Sequence, residues 1–532
     1  MSVTAQAGAD PPSHAPASRW VGVSGIAASA CTLFAMALVA AGRGSPYQPV
    51  LTPNGRAKGW LRDLARSVGL EDLHGNPSLA VGVLAALAAV AGFLWLLRTA
   101  WRGQVGVATV ALIVVAGHLM VLFVPLLFSR DVYSYAYYGR IAGIYGGNPY
   151  VETPLDHSGD LLWSYVGPRW IDTPAVYGPA WTALSAGLSR VLPKPVDHVV
   201  AYRYLAIAAS LATCVALVLV VRQLCPARGA FALAAFGANP IVLFHSVASG
   251  HNDLLITFAV VCALGLVLAR HDLGAVVVLT IGASVKATAA LPLLLLLVWI
   301  CARHPPGRRR RALLVHGGAA VAIGLAFAVP YLQMQDPTLG MLGLAGHEGW
   351  LAPSAVLGRI VDVVSFGTLG WTVRVVFGLI LVRALFELGR EVWRRGAAGA
   401  MTVAAAGAAW GWSLVLLALL APVLLPWYVV WALPLVWLLP RPARLALMTT
   451  SVLLAVTLWS AEPLRFPGAF ELNLFLGRWL VTPVLLVLAL RALRDLRRRA
   501  DLGLAFAERR VVPGERRSSD REQHVAEAAG HR

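Results

Sequence analysis

Charge is scarce in this sequence. Aspartate, glutamate, lysine and arginine make up 13% of the 532 residues and hydrophobic types 58%, and the mean hydropathy is +0.70. Soluble domains carry about 25% charged residues, so an ordinary soluble enzyme is excluded. Acidic residues are scarcer still, 26 against 44 basic ones, for a formal net charge of +18. In a soluble chain that balance would suggest nucleic acid. Here the basic residues sit in short connections and a tail, with no basic groove, so they read as a topological signal and no nucleic-acid partner is expected. The five cysteines, Cys31, Cys214, Cys225, Cys262 and Cys301, show no metal-ligand spacing, and neither a disulfide framework nor a metal site is implied. A phosphate-binding P-loop, a dinucleotide fingerprint and an HExxH pair are all missing. A nucleotide-fuelled pump is thereby disfavoured, and no cofactor is expected.

What fills the chain instead is a series of apolar runs near membrane-spanning length, recurring from Trp20 to Leu490. They are too many and too long for a signal peptide with one anchor, so an all-α, multi-pass protein of the plasma membrane is expected. The first run, Trp20 to Ala41, lacks a convincing cleavage site and reads as a retained span. Three parts follow: a disordered cytoplasmic arm over 1–18, a transmembrane domain over 19–495 with a large outer loop at 129–199, and a basic cytoplasmic tail over 496–532. Gly59 to Leu70 alternates Arg and Leu and predicts a helix lying along the membrane surface. A short segment, Ala180 to Leu192, decides the topology. If it does not cross, the arginine-rich connections from Arg98 and Arg102 to the tail all fall on the cytoplasmic side. We read it as re-entrant or surface-lying, which leaves about fourteen spans, some as short as Val429 to Leu439. Both termini are then cytoplasmic.

The same parity gathers the polar interruptions on the outer face. Ser129 to Tyr150 begins where the run Val107 to Phe128 stops. Arg130 and Asp131 at the end of a span are costly in hydrocarbon, so Asp131 belongs at the surface or in a wet cavity. Tyr133, Tyr135, Tyr137, Tyr138 and Tyr145 follow, and their rings suit a sugar, a headgroup or the interface. Asp131 is a candidate general base; an ion pair with Arg130 is the structural alternative. Arg130, Tyr133, Tyr135, Arg140, Asn148 and Tyr177 are candidates to bind substrate. His251 and Asp253, in the turn after His245, suggest an acid–base pair or a metal ligand set, or else a cap for the helix that follows. Lys286 interrupts the apolar stretch from Gly274 to Ile300, and its natural partner is a phosphate; a wet turn is the alternative. Arg374 and Arg478 lie just inside the outer ends of their spans, as phosphate ligands or interface anchors. His347 and Glu348 occupy a long outer loop, and Trp427, after Pro426, is either an interfacial aromatic or a carbohydrate platform.

Ser129-Arg130-Asp131-Val132-Tyr133-Ser134-Tyr135, then Gly139-Arg140, Gly147-Asn148-Pro149-Tyr150 and Tyr177-Gly178-Pro179, resemble the polyprenol-phosphate-mannose-dependent α-1,6-mannosyltransferases of actinobacterial envelopes, within the GT-C superfamily. The likeness covers residues 20–495. It implies a GT-C-type helical bundle whose first large outer loop carries a catalytic aspartate, at the position of Asp131, followed by surface-lying helices. It implies transfer of mannose from a β-linked polyprenyl phosphate to a mannan or lipoglycan acceptor, forming an α-1,6 linkage on the extracytoplasmic face. Many GT-C relatives have paired acidic residues at this place, whereas this chain has Arg130-Asp131. A single base suffices for an inverting displacement, because a lipid phosphate leaves as a stable anion. Lys286, Arg374 and Arg478 are then candidates to hold that phosphate. Two alternatives remain open: a GT-C enzyme using lipid-linked arabinofuranose or glucose, and a lipid-linked glycan flippase. The second would call for polar residues along a path through the membrane and internal repeats, and none is visible.

Overall fold

The computed structural model describes residues 16–49, 59–332, 339–340, 351–457 and 465–498, and among them every regular element is a helix. Most of the expected N-terminal arm and the tail beyond residue 498 lie outside the described residues. The first half contains α1 (Pro16–Ala41), α2 (Trp60–Ser67), α3 (Gly75–Trp101), α4 (Val107–Val121), α5 (Asp131–Gly143), α6 (Pro179–Val191), α7 (Pro195–Leu224) and α8 (Gly229–Gly237). Next come α9 (Asp253–Leu268), α10 (Asp272–Val285), α11 (Ala290–Arg303), α12 (Pro306–Ala328) and α13 (Pro353–Val364). The chain closes with α14 (Gly370–Ala397), α15 (Val403–Leu420), α16 (Arg441–Thr457), α17 (Pro467–Leu476) and α18 (Thr482–Arg498).

Among the described residues, six helices are long and apolar enough to cross a membrane, or seven if the bent pair Pro226–Gly237 and Ile241–Val247 counts as one. The 27 residues of α3 reach about 40 Å at 1.5 Å per residue, ample for a hydrocarbon core of about 30 Å. The pair is bent by 41° at Asn239-Pro240, because proline lacks the N–H that would continue the ladder. The residues beyond it wind as a π-helix, Ile241–Val247, a form that clusters at functional sites. Val429 to Leu439, expected as a span, is instead two 3₁₀ turns, Pro426–Trp431 and Leu433–Leu435. Pro434 removes a donor in its middle, and the whole segment is buried.

The α8–π-helix segment, α9, α15 and the 3₁₀ segment form the densest part of the core, and 89% of the apolar window of α15 is buried. By contrast only 6% of the α12 window is buried, and Leu313, Leu314, Val321 and Leu325 face outward. An apolar helix face left open in this way, on a helix long and apolar enough to cross a membrane, suits lipid. α2 packs against α1 with Leu61 and Ala65 buried, while Arg62 and Arg66 both reach Glu71.

α5 and α6 pack backbone to backbone. A Cβ at Gly139 would lie 2.4 Å from the Ser185 carbonyl oxygen, and one at Gly143 would lie 2.5 Å from that of Ala186. Spaced four apart, the two glycines share a helix face, which is the reason the helices can touch. Gly139→Ala should therefore lower stability by about 1–3 kcal/mol, because the Ser185 backbone, which cannot swing aside, stands in the methyl's way together with Ser189 Oγ. Gly187→Ala on α6, where nothing lies within 4 Å, should leave it unchanged or gain up to about 1 kcal/mol. Thermal unfolding midpoints of the two purified variants check the contrast.

Candidate active site

α5 opens on Asp131, where a carboxylate is favoured by the helix dipole, and the Asp131 backbone N–H donates to Ser129 Oγ at 3.1 Å. Its carboxylate Oδ2 lies 3.5 Å from His251 Nδ1, and the same nitrogen is 3.3 Å from the Tyr135 hydroxyl. The His251 ring stacks on Trp427 with 3.9 Å between centroids. Tyr135 is held edge-on by Tyr177, Trp181 and Tyr202, at 4.8, 5.0 and 5.4 Å. Four of the residues singled out from sequence, Asp131, Tyr135, His251 and Trp427, thus meet directly.

A second buried group adjoins the first. Lys286 Nζ donates to Asp253 Oδ1 at 2.7 Å, and Trp431 Nε1 donates to the same oxygen at 2.7 Å. The ammonium also faces the rings of Tyr428 and Trp431, at 4.5 and 5.3 Å. Lys286 is therefore not a wet turn residue. It stands at the break after α10, buried, and its partner here is a carboxylate. Nor does Asp253 cap α9: the cap residue is Asn252, which makes no side-chain cap bond. Asp253 Oδ2, both polar side-chain atoms of Asn252 and His251 Nε2 are buried and find no hydrogen-bond partner among the described residues. Such atoms are costly to enclose unless something meets them.

Access separates the two groups. The Asp131 side chain keeps 16% of its surface exposed, while those of His251 and Asp253 keep none. An incoming molecule meets Asp131 first. Burial pushes the Asp131 carboxyl up to about 6; the negative Asp253 adds to the rise, and the Ser129 hydroxyl, the positive Lys286 and the Tyr177 phenol oppose it. Burial, with Lys286 and His245 adding to it, holds His251 well below the usual histidine range, so its imidazole is neutral. Burial and the nearby Asp131 push the Tyr135 and Tyr177 phenols well above theirs, which keeps both neutral donors. A carboxylate with this pKa is charged at neutral pH yet basic enough to take a proton.

The turns that carry Asp131 and His251 are clamped together. Arg203, buried inside α7, donates to the carbonyls of Val124, Pro125 and Ala248, and Ser249 Oγ donates to Leu127 O at 2.6 Å. Phe128 has a φ of 57°, uncommon for a residue with a side chain. Its ring stacks on His245 at 4.0 Å and its N–H donates to Tyr47 O at 2.8 Å. Gly250, at φ 68°, comes so close to α5 that a Cβ would lie 2.8 Å from Val132 Cγ1.

Other candidates are engaged elsewhere. Arg140 is bound to Asp160 at 2.6 Å, Asn148 braces its own loop through Tyr331 O and the Tyr150 N–H, and Tyr133 packs on Tyr165 at 5.2 Å. Arg130 is the residue just before α5. Arg374 stands on α14 and Arg478 on the π-turn Gly477–Val481 between α17 and α18, and no contact of either with Asp131, Asp253 or Lys286 is described. His347 and Glu348 lie outside the described residues. Sequence reasoning passes over Trp431, Asp160 and Arg203; for Arg203 the signal is a charge inside an apolar run. Among the described residues, no three His, Cys, Asp or Glu side chains are grouped so as to hold a metal.

Residues 20–303 match a family profile described as alpha-(1→6)-mannopyranosyltransferase, N-terminal domain. The chain is similar to alpha-(1→6)-mannopyranosyltransferase A of Mycobacterium tuberculosis, 28% identical over 381 residues, which is 68% of this chain and 70% of the relative. It is 29% identical over 259 residues to the protein of that name in Corynebacterium glutamicum, covering 48% of this chain and 49% of the relative. A probable alpha-(1→6)-mannopyranosyltransferase of Mycolicibacterium smegmatis is 28% identical over 261 residues, 48% of this chain and 43% of the relative. The chain thus spans about half or less of the length of the last two. No solved structure matches.

The buried pair yields a stability test. Lys286→Met alone strands the Asp253 charge and should cost about 3–5 kcal/mol. Adding Asp253→Leu removes that charge, and the double variant should recover much of the loss. Unfolding midpoints of wild type, single and double variants measure the difference, and additive losses would contradict the pairing.

Proposed function

The chain belongs to the alpha-(1→6)-mannopyranosyltransferase family and is a glycosyltransferase, and from this we propose that it moves mannose from a polyprenyl phosphate to a hydroxyl of a growing α-1,6-mannan. The fold in this reading is a GT-C bundle of about fourteen spans, with the site on the extracytoplasmic face and both termini in the cytoplasm. The arm over 1–18, the catalytic domain over 19–495 and the tail over 496–532 are its parts.

Asp131 acts as the general base. It takes the proton from the acceptor's 6-hydroxyl as that oxygen bonds to C1 of the mannose, and the C1–O bond to phosphate breaks with its electron pair leaving on the lipid phosphate. Attack from the face opposite the phosphate inverts C1, turning a β-linked donor into an α-linked product. His251, neutral and stacked on Trp427, orients the carboxylate. Lys286 supplies positive charge to the departing phosphate, with Asp253 holding it in place between turnovers; Arg374 and Arg478 add to that field from the spans where the lipid tail lies. The orphaned atoms of Asn252, Asp253 and His251 receive sugar hydroxyls. Tyr135 and Tyr177 wall the acceptor side, and Arg130, Tyr133, Arg140 and Asn148 shape the loop behind it. His347 and Glu348 complete the acceptor site.

The observation that carries this reading is a partly open carboxylate at the head of α5, raised to about 6 beside a neutral histidine and a buried lysine–aspartate pair. Purified protein should transfer mannose from synthetic polyprenyl-phosphate mannose to a short α-1,6-mannoside, and Asp131→Asn should lose about 10² to 10⁴ in rate while folding normally. Below its pKa the carboxyl is protonated and cannot accept a proton. Wild-type kcat/KM should therefore fall tenfold per unit as pH drops below about 6 and level off above it, and the residual rate of Asp131→Asn should lack that limb. Full activity in the variant would sink the base assignment. Activity only with lipid-linked arabinofuranose or glucose would sink the sugar.

A further inference from the structure

Between α16 and α18, lined by none of the residues used above, lies an open cavity of about 450 Å³. Arg441, Arg491 and Arg494 line it together with Asp495, Leu445 and Leu488. Three guanidiniums against one carboxylate leave it strongly positive. Other arginines near this end have partners in the protein: Arg228 and Arg444 both stand over the Trp101 ring, at 3.6 and 4.6 Å. For Arg441, Arg491 and Arg494 no ion pair, hydrogen bond or ring contact occurs among the described residues. All three are exposed, so an anion can reach them from outside, and it would relieve the repulsion between their like charges.

The place of the cavity narrows the choice of anion. α18 belongs to a stretch apolar enough to cross a membrane, Pro467–Leu496, and turns basic at Arg491. α16 is basic in its first turn, at Arg441 and Arg444, and apolar beyond it, with Leu445 51% exposed. Both helices thus pass from apolar to basic at the cavity, which sets it at the boundary between hydrocarbon and headgroups. Its upper wall suits a phosphate, for which guanidinium is a forked donor, and its leucine wall suits the first carbons of an acyl chain. We propose that this cavity is a binding site for an anionic phospholipid, with the phosphodiester on Arg441, Arg491 and Arg494 and a tail against Leu445 and Leu488.

The test uses the full-length protein in a neutral detergent with phosphatidylglycerol, phosphatidylcholine of the same chains, or inorganic phosphate. Binding is read by native mass spectrometry and by the shift in unfolding midpoint. Phosphatidylglycerol should bind and raise the midpoint, and phosphatidylcholine should do neither. Replacing one arginine by glutamine should weaken binding about fivefold, and replacing all three about a hundredfold. Asp495→Asn, which removes the one repelling charge, should tighten binding severalfold, a gain that a damaged fold would not produce. Equal binding of phosphatidylcholine would overturn the proposal, as would undiminished binding by the triple variant or no gain in Asp495→Asn. The same midpoint shift from inorganic phosphate alone would overturn the assignment to lipid.

Discussion

A charge moved away from water must find its opposite within reach, and around Asp253 that constraint draws three distant parts of the chain together. Asp253 begins α9, Lys286 follows α10, and Trp431 ends the 3₁₀ turn of Pro426–Trp431. Isolated, either charge would cost several kcal/mol to enclose; joined, with an indole N–H on the same oxygen, they form a knot that fixes where α9, α10 and the buried 3₁₀ segment meet. Everything else at the site is measured from it. His251 precedes Asp253 by two residues, and Trp427 precedes Trp431 by four within the same 3₁₀ segment, so the stacked imidazole and indole inherit their positions from the pair.

The two carboxylates divide the work because their surroundings differ. Asp253 is fully enclosed and has a lysine within hydrogen-bonding distance; Asp131 keeps part of its surface open and has neutral partners, an imidazole, a hydroxyl and a phenol, closest to it. In the proposed reaction the first anchors the lysine and the second takes the proton. The arginine clamp serves this division. By satisfying three carbonyls at once, Arg203 lets two irregular turns lie side by side in the core, where bare carbonyls would otherwise be costly.

The residues that interrupt apolar runs were legible before any coordinates: Asp131, His251, Asp253 and Lys286 each stand out because hydrocarbon does not tolerate them alone. Their pairings were not. Trp431 lies 178 residues from Asp253, and nothing local marks which of the 18 tryptophans will turn its N–H inward. Arg140 sits on the same helix as Asp131 and looks equally available, yet Asp160, twenty residues on, takes it. The 3₁₀ course of 426–435 escaped hydropathy for a related reason. Apolar content says that a segment is buried, while its prolines decide how it winds. The matched profile ends at residue 303, so the acids, histidine and lysine come from the shared half of the chain, and Trp427, Tyr428 and Trp431 from beyond it.

The close seating of α5 on α6 bears on how the site tolerates motion. Gly139 and Gly143 leave no slack between those helices, and the N–H of Gly178, just before α6, donates to the carbonyl of Val285, the residue before Lys286, at 2.9 Å. Asp131 at the head of α5 and Lys286 are thus joined through one stiff frame, with no hinge between them. Such a frame works as a caliper with its jaws locked. Jaws seated this closely favour one spacing over a range of them, and a guest that matches that spacing needs no lid to hold it.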